Sequence, residues 1–356
     1  MIKTLRRLSV LLATTLCLAM PGVALSAPES APASNGKQVK KAQAKKKHAH
    51  LSKTNKISGK ARQARKARAN GRAAKHLQRT RDRELGEYRE VNGLPVLRSA
   101  YALVLDQKTG EPVFAKNPDH ATPIASITKL MTAMVVLDAA LPMEEVVTVS
   151  DADVDHLKHT RSRLPVGTTV SRSDLMHMAL IASENRAAAA LSRAYPGGRP
   201  AFVAAMNAKA TSLGMKDANF VDGTGLSSAN RASAQDLARM VAAAHRYTMI
   251  REISTLGSYD ILVPGRRALR TLAYNNTNAL TRNKHWEIGV SKTGFINEAG
   301  HCLVMQAKIL DKPMIIVLLD AQGKYSRIGD ANRLRRWLES EATGRVATRK
   351  HAPRPA

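Results

Sequence analysis

Residues 125–133 have the sequence ASITKLMTA. Apolar residues recur at intervals of three and four positions from Ile127 to Leu137. Because that spacing places apolar side chains on one face of a helix, the stretch predicts a buried helix that begins near Ser126. Ser126 and Lys129 are three positions apart, so their side chains are expected on the same side of this helix, one turn apart.

The pairing of Ser126 with Lys129 favours nucleophilic catalysis. A serine hydroxyl is a weak nucleophile and needs a base beside it. Lys129 can act as that base if burial or a neighbouring cation lowers its pKa enough to leave neutral amine. A position at the helix start would also place backbone N–H groups and the positive end of the helix dipole near a developing oxyanion. We therefore predict Ser126 as the nucleophile and Lys129 as its base.

A second polar signature, SEN at 183–185, lies between two predicted helices. The earlier helix is expected to be capped by Ser173, and the later one to begin near Arg186. Ser183 can relay a proton to a leaving amine. Asn185 can hold a substrate amide or orient the lysine base. Both are predicted catalytic residues.

A third signature, Lys292-Thr293-Gly294, lies near the end of a predicted strand. The edge of a strand can pair with an extended peptide. Lys292 supplies positive potential, Thr293 a hydroxyl for a carboxylate, and Gly294 room for close backbone approach. These residues are predicted to bind substrate.

Each signature has a second match elsewhere in the chain. SNGK occurs at 34–37, SAN at 228–230 and KTG at 108–110. The first lies in a polar basic segment and the third in a predicted turn. Only the three signatures described above combine the right order with the right contexts, which are a helix start, an inter-helix loop and a strand.

The order of predicted elements indicates the fold class. Hairpin strands are expected at 101–105 and 113–115, and three further strands near the other end of the chain at 287–293, 302–310 and 314–319. The helical stretches lie between them, with a last helix capped by Asp330. This arrangement predicts an α/β (α+β) domain with one antiparallel sheet of about five strands flanked by helices, and with the first two signatures in a helical subdomain.

The first 93 residues divide into two segments. Residues 1–27 combine basic residues, a short apolar run and small residues before a cleavage point, which is typical of a cleaved signal peptide. Residues 28–93 are rich in Lys, Arg and Ala and are expected to form a disordered basic tail. The folded domain is predicted at 94–342 and a disordered basic end at 343–356. Removal of the signal leaves Cys302 as a single, buried cysteine, which fits the periplasm.

The formal charge of +28 for 356 residues is concentrated in this tail. Dense positive charge attracts polyanions at long range. The tail has no stacking aromatic before Tyr88, and export separates the chain from DNA, so we favour anionic wall or membrane polymers over nucleic acid. A solvated linker remains the alternative. No cofactor or metal is expected, because the chain lacks a His-Glu-x-x-His pattern and His156, His159 and His177 suit surface or packing roles.

The three signatures resemble those of the penicillin-binding protein and serine β-lactamase superfamily. The likeness covers residues 94–338 and is greatest to the D-alanyl-D-alanine endopeptidase type of low-molecular-mass penicillin-binding protein. Its motif positions here are ASITKLMTA at 125–133, LGM at 213–215 with Asn219-Phe220 and Gly225-Leu226, and KTGFINEAG at 292–300.

The resemblance implies a β-lactamase/transpeptidase-like fold and acylation of Ser126 with Lys129 as base. It also implies an oxyanion hole formed by the backbone N–H groups of Ser126 and Phe295. Cross-linked muropeptides are the implied substrates, and β-lactams the implied covalent inhibitors. The basic tail has no counterpart in the family pattern.

Four activities compete within this interpretation. A class-A β-lactamase is disfavoured, because no Glu-x-x-Leu-Asn segment follows Asn185. A carboxypeptidase and an endopeptidase that cuts D-alanyl–diaminopimelate cross-links are harder to separate. The substrates of both enzymes present nearly the same local carboxylate to Lys292 and Thr293. We favour the endopeptidase, because the likeness is closer and the chain lacks the β-rich domain and amphipathic anchor usual in the carboxypeptidases. A wall- or polyanion-binding protein with an idle peptidase site is the fourth alternative.

Overall fold

The computed structural model describes residues 88–264 and 268–350. The predicted signal peptide, the tail up to residue 87 and residues 351–356 lie outside the described residues. The strands are β1 (Glu90–Val91), β2 (Leu94–Pro95), β3 (Ser99–Asp106), β4 (Pro112–Lys116), β5 (Thr122–Pro123), β6 (Val146–Thr148), β7 (Thr169–Ser171), β8 (Arg231–Ala232), β9 (Ser258–Pro264), β10 (Leu269–Asn275), β11 (Glu287–Ile296), β12 (Gly300–Ile309) and β13 (Lys312–Ala321). The helices are α1 (Thr128–Asp138), α2 (Arg172–Ile181), α3 (Asn185–Arg193), α4 (Gly198–Ser212), α5 (Ala234–Ala244), α6 (Thr248–Thr255) and α7 (Ser326–Lys350).

One five-stranded antiparallel sheet organises the domain, in the order β11–β12–β13–β3–β4. The pairing of β13 with β3 joins the two ends of the folded chain, and the helices lie between them in sequence. The predicted fold class, with about five antiparallel strands flanked by helices, is confirmed. Strand β11 lies at one edge of this sheet, so its outer side is not paired within it.

Both faces of the central strands are covered, because successive side chains of a strand point to opposite faces. Ile315 and Val317 belong to the large core that the helices between β5 and β11 form with the sheet. Ile316 and Leu318 belong to a second core, in which α7 contributes Leu334. The continuous apolar run of β13 therefore reflects burial on both sides, as expected from the sequence.

The caps of two helices differ from expectation. Ser171, not Ser173, caps α2, and Asp174 completes a capping box with it. Asp330 does not cap the last helix, because α7 already begins at Ser326. The Asp330 carboxylate instead accepts hydrogen bonds from the backbone N–H and hydroxyl of Ser99, each at 2.7 Å. From the sequence alone, an acid that binds a distant strand cannot be distinguished from one that caps a helix, because both precede or lie within a helical stretch.

The ends of the domain also differ from the boundaries that the sequence predicts. The first strand begins at Glu90, four residues before the expected start at 94. Helix α7 is described as far as Lys350, eight residues past the expected domain end at 342. The domain boundaries and the disordered end remain predictions. Helices α4 and α6 were not anticipated. Within the described ranges, no helix has the length and apolarity needed to cross a membrane.

Candidate active site

Ser126 lies in a short 3₁₀ turn, Ala125–Ile127, that leads directly into α1. It is half-buried, so its hydroxyl remains accessible. Ala125 has a φ of 48°, in the left-handed region that non-glycine residues seldom occupy. The turn therefore holds a strained backbone immediately before Ser126, an arrangement common at functional sites.

Lys129 is buried and donates three hydrogen bonds. Its Nζ lies 2.8 Å from Ser126 Oγ, 2.7 Å from Asn185 Oδ1 and 2.6 Å from the backbone oxygen of Thr224. In the neutral amine the two N–H groups can donate to Asn185 Oδ1 and the Thr224 carbonyl, which only accept, so the lone pair faces Ser126 Oγ and can take its proton without moving. The helical spacing predicted the first contact. The other two come from positions 56 and 95 residues further along the chain.

Burial lowers the pKa of Lys129 to about 7, while Asp222, Glu184 and Asp155 oppose that change. An ordinary lysine has a pKa near 10.4 and is almost wholly charged at neutral pH. The site thus makes a substantial fraction of Lys129 a neutral amine, as a general base requires.

The loop at 221–227 fixes the third acceptor of Lys129. Asp222 Oδ1 accepts from the backbone N–H groups of Thr224 at 2.6 Å and Gly225 at 2.7 Å. Asn230 donates to Asp222 O at 2.8 Å and to Thr128 Oγ1 at 3.1 Å, which ties the loop to α1. The loop therefore presents the Thr224 carbonyl to the amine in a fixed position.

Ser183 and Asn185 occupy the turn between α2 and α3. Ser183 has a φ of 60°, again in the left-handed region, and is half-buried. Glu184 caps α3, and Asn185 is its first residue. Asn185 reaches Lys129 through Oδ1, but no hydrogen bond joins Ser183 to Ser126 or Lys129 in the described part of the chain. The structure therefore brings Asn185 into the lysine's environment directly and leaves the Ser183 hydroxyl without that contact.

Thr160 orients Asn185. Its Oγ1 donates to Asp155 Oδ2 at 2.6 Å and accepts from Asn185 Nδ2 at 3.0 Å. Because Thr160 is an acceptor towards Asn185, the amide must turn its oxygen to Lys129. The same loop is connected to the turn after β11 by an ion pair between Lys158 and Glu298. No sequence signature marked this loop.

The third signature lies on β11 beside the Ser126 turn. A Cβ added to Gly294 would lie 3.0 Å from Ser126 N and 3.0 Å from Ile124 O, so only glycine permits this contact without displacement. Thr293 Oγ1 donates to Thr277 Oγ1 at 2.7 Å, and Lys292 Nζ donates to Thr293 O at 2.8 Å. The expected close backbone approach at Gly294 is present.

Lys292 is buried near two other cations. Burial lowers its pKa well below the ordinary lysine value, and the charges of Lys129 and Arg327 lower it further. Arg327 donates to His301 Nδ1 at 2.8 Å, and His301 stacks on Phe295 with ring centroids 4.3 Å apart. This cluster gives the cleft a positive potential suited to a carboxylate.

Arg327, Thr160 and Thr224 were missed by sequence reasoning. Arg327 gave no signal, because the predicted last helix began at Asp330 and left Arg327 outside it, whereas in the structure it lies in the first turn of α7. Thr160 and the Thr224 carbonyl gave no signal, since their importance depends on contacts with distant residues.

The histidines considered as ligands occupy separate environments. His177 stacks on Tyr259 at 4.1 Å and contacts Ser173 O at 2.8 Å, while His156 and His159 are exposed. Among the described residues, no group of three or more His, Cys, Asp or Glu side chains is arranged to hold a metal ion. Cys302 is buried, and burial raises the pKa of its thiol to about 11.

Fold and site together define a serine-type peptidase with a lysine beside the serine. The chain belongs to the D-alanyl-D-alanine carboxypeptidase family (Peptidase_S11), whose sequence pattern matches residues 90–323. The resemblance inferred from the three signatures is confirmed.

Among the relatives named D-alanyl-D-alanine endopeptidase, two match most of their own length. The one from Pseudomonas aeruginosa is 50% identical over 257 residues, which are 71% of this chain and 81% of the relative. The one from Escherichia coli K12 is 45% identical over 252 residues, 71% of this chain and 80% of the relative.

Two solved structures are similar in fold and sequence. The Streptomyces K15 DD-transpeptidase is 26% identical with a TM-score of 0.64, over 68% of this chain and 97% of that one. Penicillin-binding protein D2 from Listeria monocytogenes, in its cefotaxime-bound form, is 27% identical with a TM-score of 0.57, over 68% of this chain and 97% of that one.

Proposed function

We propose that this protein is a peptidoglycan hydrolase that cleaves D-alanyl–diaminopimelate cross-links through an acyl-enzyme on Ser126. One observation carries the proposal: Nζ of the buried Lys129, whose pKa is about 7, lies 2.8 Å from Ser126 Oγ, so the neutral amine can accept the serine proton. The names of the two relatives at 50% and 45% identity support the choice of bond.

Acylation begins when Ser126 Oγ attacks the D-alanyl carbonyl carbon and its proton passes to Lys129 Nζ. The resulting oxyanion is stabilised by the backbone N–H groups of Ser126 and Phe295. The tight contact of Gly294 with Ser126 N supports this pair of N–H groups, because it holds the backbone of β11 against the turn that carries Ser126. Asn185 keeps the lysine amine directed at the serine.

The second half of the reaction releases the amine and restores the serine. Ser183 relays the proton held by Lys129 to the leaving nitrogen of diaminopimelate, the C–N bond breaks, and Lys129 is again a neutral amine. A water molecule then attacks the ester carbonyl, gives a proton to the Lys129 amine, and frees a peptide that ends in D-alanine. Ser126 regains its proton from the lysine, so the cycle closes without an added cofactor.

Substrate orientation depends on the cationic side of the cleft. The diaminopimelate centre next to the cut bond carries a carboxylate, as a terminal D-alanine does. Arg327 supplies charge for it, Lys292 supplies N–H donors, and Thr293 supplies a hydroxyl. β-Lactams present a similar carboxylate beside a reactive carbonyl, and we expect them to acylate Ser126.

A digest of purified cross-linked muropeptides tests the choice of bond. We expect dimers to be converted to monomers without release of free D-alanine. If dimers persist while monomeric pentapeptides lose D-alanine, the protein is a carboxypeptidase instead. The matched control is the Ser126→Ala variant, which should do neither.

Intact-mass measurement after incubation with benzylpenicillin tests the acyl-enzyme. We expect the wild type to gain the mass of one penicillin molecule and Ser126→Ala to gain none. A wild type that stays unmodified, although thermal unfolding shows that it is folded, would contradict the assigned nucleophile.

Export and wall attachment complete the proposal. The sequence of residues 1–27 supports cleavage on export to the periplasm, where the substrate lies. The basic segment at 28–83 acts as a tether to anionic wall or membrane polymers. Deleting it should release the protein from isolated walls and leave hydrolysis of soluble muropeptides intact. Unchanged wall retention would make this segment a linker.

A further inference from the structure

A cavity of about 600 Å³ lies at the edge of the sheet, between the segment that precedes β11 and the first turns of α7. Residues of the 279–285 segment form one wall, and Tyr325, Ile328 and Asn332 form the other. We call this cavity the basic groove. Its volume lies within the range of small-molecule sites, and none of the catalytic side chains lines it.

The basic groove is cationic. Arg282 and Lys284 are exposed on its wall, next to His285. Among the described residues that line it, none is acidic. The nearest acid in sequence, Glu287, lies 3.8 Å from Lys308 of β12 and is paired there. The groove therefore has a positive potential that attracts anions.

Two asparagines add N–H donors of fixed direction to the groove. Asn332 Oδ1 accepts from Trp286 Nε1 at 3.2 Å, and Asn283 Oδ1 accepts from the backbone N–H of His285 at 3.0 Å. An indole N–H and a backbone N–H can only donate, so each amide must turn its oxygen to them and its Nδ2 group elsewhere. Because both asparagines line the groove, their Nδ2 groups can donate to an anionic ligand there.

Both walls of the groove lead back to the carboxylate side of the active site. On one side Thr277 Oγ1 accepts from Thr293 Oγ1 at 2.7 Å, and Ala279 begins the groove two residues later, at most about 7 Å along the chain. On the other side Arg327 is followed at once by Ile328, which lines the groove. The groove thus extends the side of the site from which the amine leaves.

The leaving peptide of a diaminopimelate cross-link carries two carboxylates besides the one next to the cut bond. One is its C-terminal carboxylate, and the other belongs to the γ-linked glutamate that precedes diaminopimelate. They lie about nine and eleven bonds from the first carboxylate, which corresponds to roughly 11–13 Å in an extended chain. The 3₁₀ turn Ala279–Arg282 rises about 2 Å per residue, so Arg282 lies at most roughly 13 Å along the chain from Thr277. Either carboxylate can therefore reach the groove while the first stays bound.

We propose that the basic groove binds a carboxylate of the leaving peptide that is remote from the cut bond. Arg282 and Lys284 supply the charge, and the amides of Asn283 and Asn332 supply fixed donors. The inference rests on the proposed function, because only the cleavage of a cross-link releases such a peptide. A single D-alanine is too short to reach the groove, so the groove favours cross-links over the substrates of a carboxypeptidase.

Three soluble cross-linked dimers test the groove in the purified protein. Their leaving peptides have both remote carboxylates free, the C-terminal carboxylate amidated, or the glutamate carboxylate amidated. We expect at least one amidated dimer to have a KM about five- to tenfold higher with little change in kcat, because a remote contact contributes to binding rather than to chemistry. The position whose amidation raises KM identifies the bound carboxylate. Equal KM values for the three dimers would overturn the groove and leave the proposed function intact, whereas failure to cleave the unmodified dimer would overturn both.

Substitutions of Lys284 place the interaction in the groove. Lys284 is chosen because Arg282 also binds the Asn276 carbonyl at 3.1 Å, so replacing Arg282 would disturb the backbone. Lys284→Gln should reduce the KM ratio of the amidated to the free dimer, Lys284→Arg should retain it, and Lys284→Glu should reverse it by repelling the free carboxylate. Lys216→Gln, an exposed lysine after α4, is the control and should keep the wild-type ratio. A wild-type ratio in Lys284→Glu, with normal thermal unfolding, would overturn the proposal.

Discussion

Gly225 faces Ala125 so closely that a Cβ at position 225 would lie 2.0 Å from the carbonyl oxygen of Ala125. Both residues have positive φ, 79° and 48° respectively. The 221–227 loop and the turn that carries Ser126 therefore fix each other's backbone. This contact also holds the Thr224 carbonyl next to Lys129, so one glycine supports the positions of both Ser126 and Lys129.

The variant Gly225→Ala should lose stability and acylation together. A left-handed alanine costs about 1–2 kcal/mol and overpacking about 1–3 kcal/mol, so we expect a loss of roughly 2–5 kcal/mol. Gly110→Ala is the matched control, with φ of 76° and nothing within 4 Å of the added Cβ. It should lose only the backbone contribution and keep full acylation. Urea unfolding and penicillin acylation measure the two effects. Equal losses in both variants would contradict the role of the contact.

The rate of acylation should follow the ionisation of Lys129. With a pKa of about 7, the amine is protonated at lower pH and cannot accept the Ser126 proton. We expect kcat/KM to fall about tenfold per pH unit below pH 6 and to level off above pH 8. Lys129→Arg, which stays charged, should be inactive across this range. A wild-type profile that still rises tenfold per unit from pH 8 to 10 would refute the lowered pKa.

Thr160 should act as a positioning residue for Asn185. Thr160→Val removes the hydroxyl that fixes the amide, so the oxygen of Asn185 is no longer directed only at Lys129. We expect kcat to fall about tenfold with little change in KM, and Thr160→Ser to restore it. Thr169→Val, which removes a hydroxyl in contact with Thr148, is the control. A rise in KM alone would indicate a substrate contact instead.

Arg327 should contribute to carboxylate binding. Removing a hydrogen bond to a charged group costs about 1.5–3 kcal/mol, so Arg327→Gln should raise KM roughly ten- to hundredfold. The effect on kcat should be smaller, because the reacting bond is held by other groups. Arg246→Gln, at an exposed position, serves as the comparison. Steady-state kinetics on muropeptide dimers measure both constants, and an unchanged KM in Arg327→Gln would remove this residue from the binding site.

Asp330 should be important for stability rather than catalysis. It is fully buried, pairs with Arg333 at 2.8 Å and binds Ser99. Asp330→Asn removes the buried negative charge that faces Arg333, and we expect a loss of about 3–5 kcal/mol in urea unfolding. Asp311→Asn is the control. Asp311 pairs with Lys308 at the same sequence spacing, but its side chain is 93% exposed, so this substitution should leave the free energy of unfolding unchanged. Similar effects of the two substitutions would contradict this account.

Much of the fold follows from short-range patterns in the chain. The hairpin at β3 and β4, the apolar run of β13 and the periodic face of α1 each carry their own signal within a dozen residues. Helix ends were less certain, since several serines and acids near a helix start can act as its cap. Ser171 and Ser173 illustrate this, because only the capping box with Asp174 distinguishes them.

The contacts of the site also divide into those that local sequence predicts and those that it does not. Ser126 and Lys129 share a helix face, so their contact could be derived from spacing alone. Thr160 and the Thr224 carbonyl reach the site from separate loops, and nothing in their local sequence distinguishes them from other loop residues. Their contribution depends on which distant residue they meet.

The sequence by itself determined the reaction type, because the order and context of three signatures specify a serine, its lysine and a cationic strand. Tertiary structure decided the pKa and the orientation of that lysine. Its pKa is lowered by burial beneath elements 56 and 95 residues away, and its direction is set by the Asn185 amide and the Thr224 carbonyl. Burial and orientation are properties of the packed chain, since they arise only when distant segments exclude water from the same place.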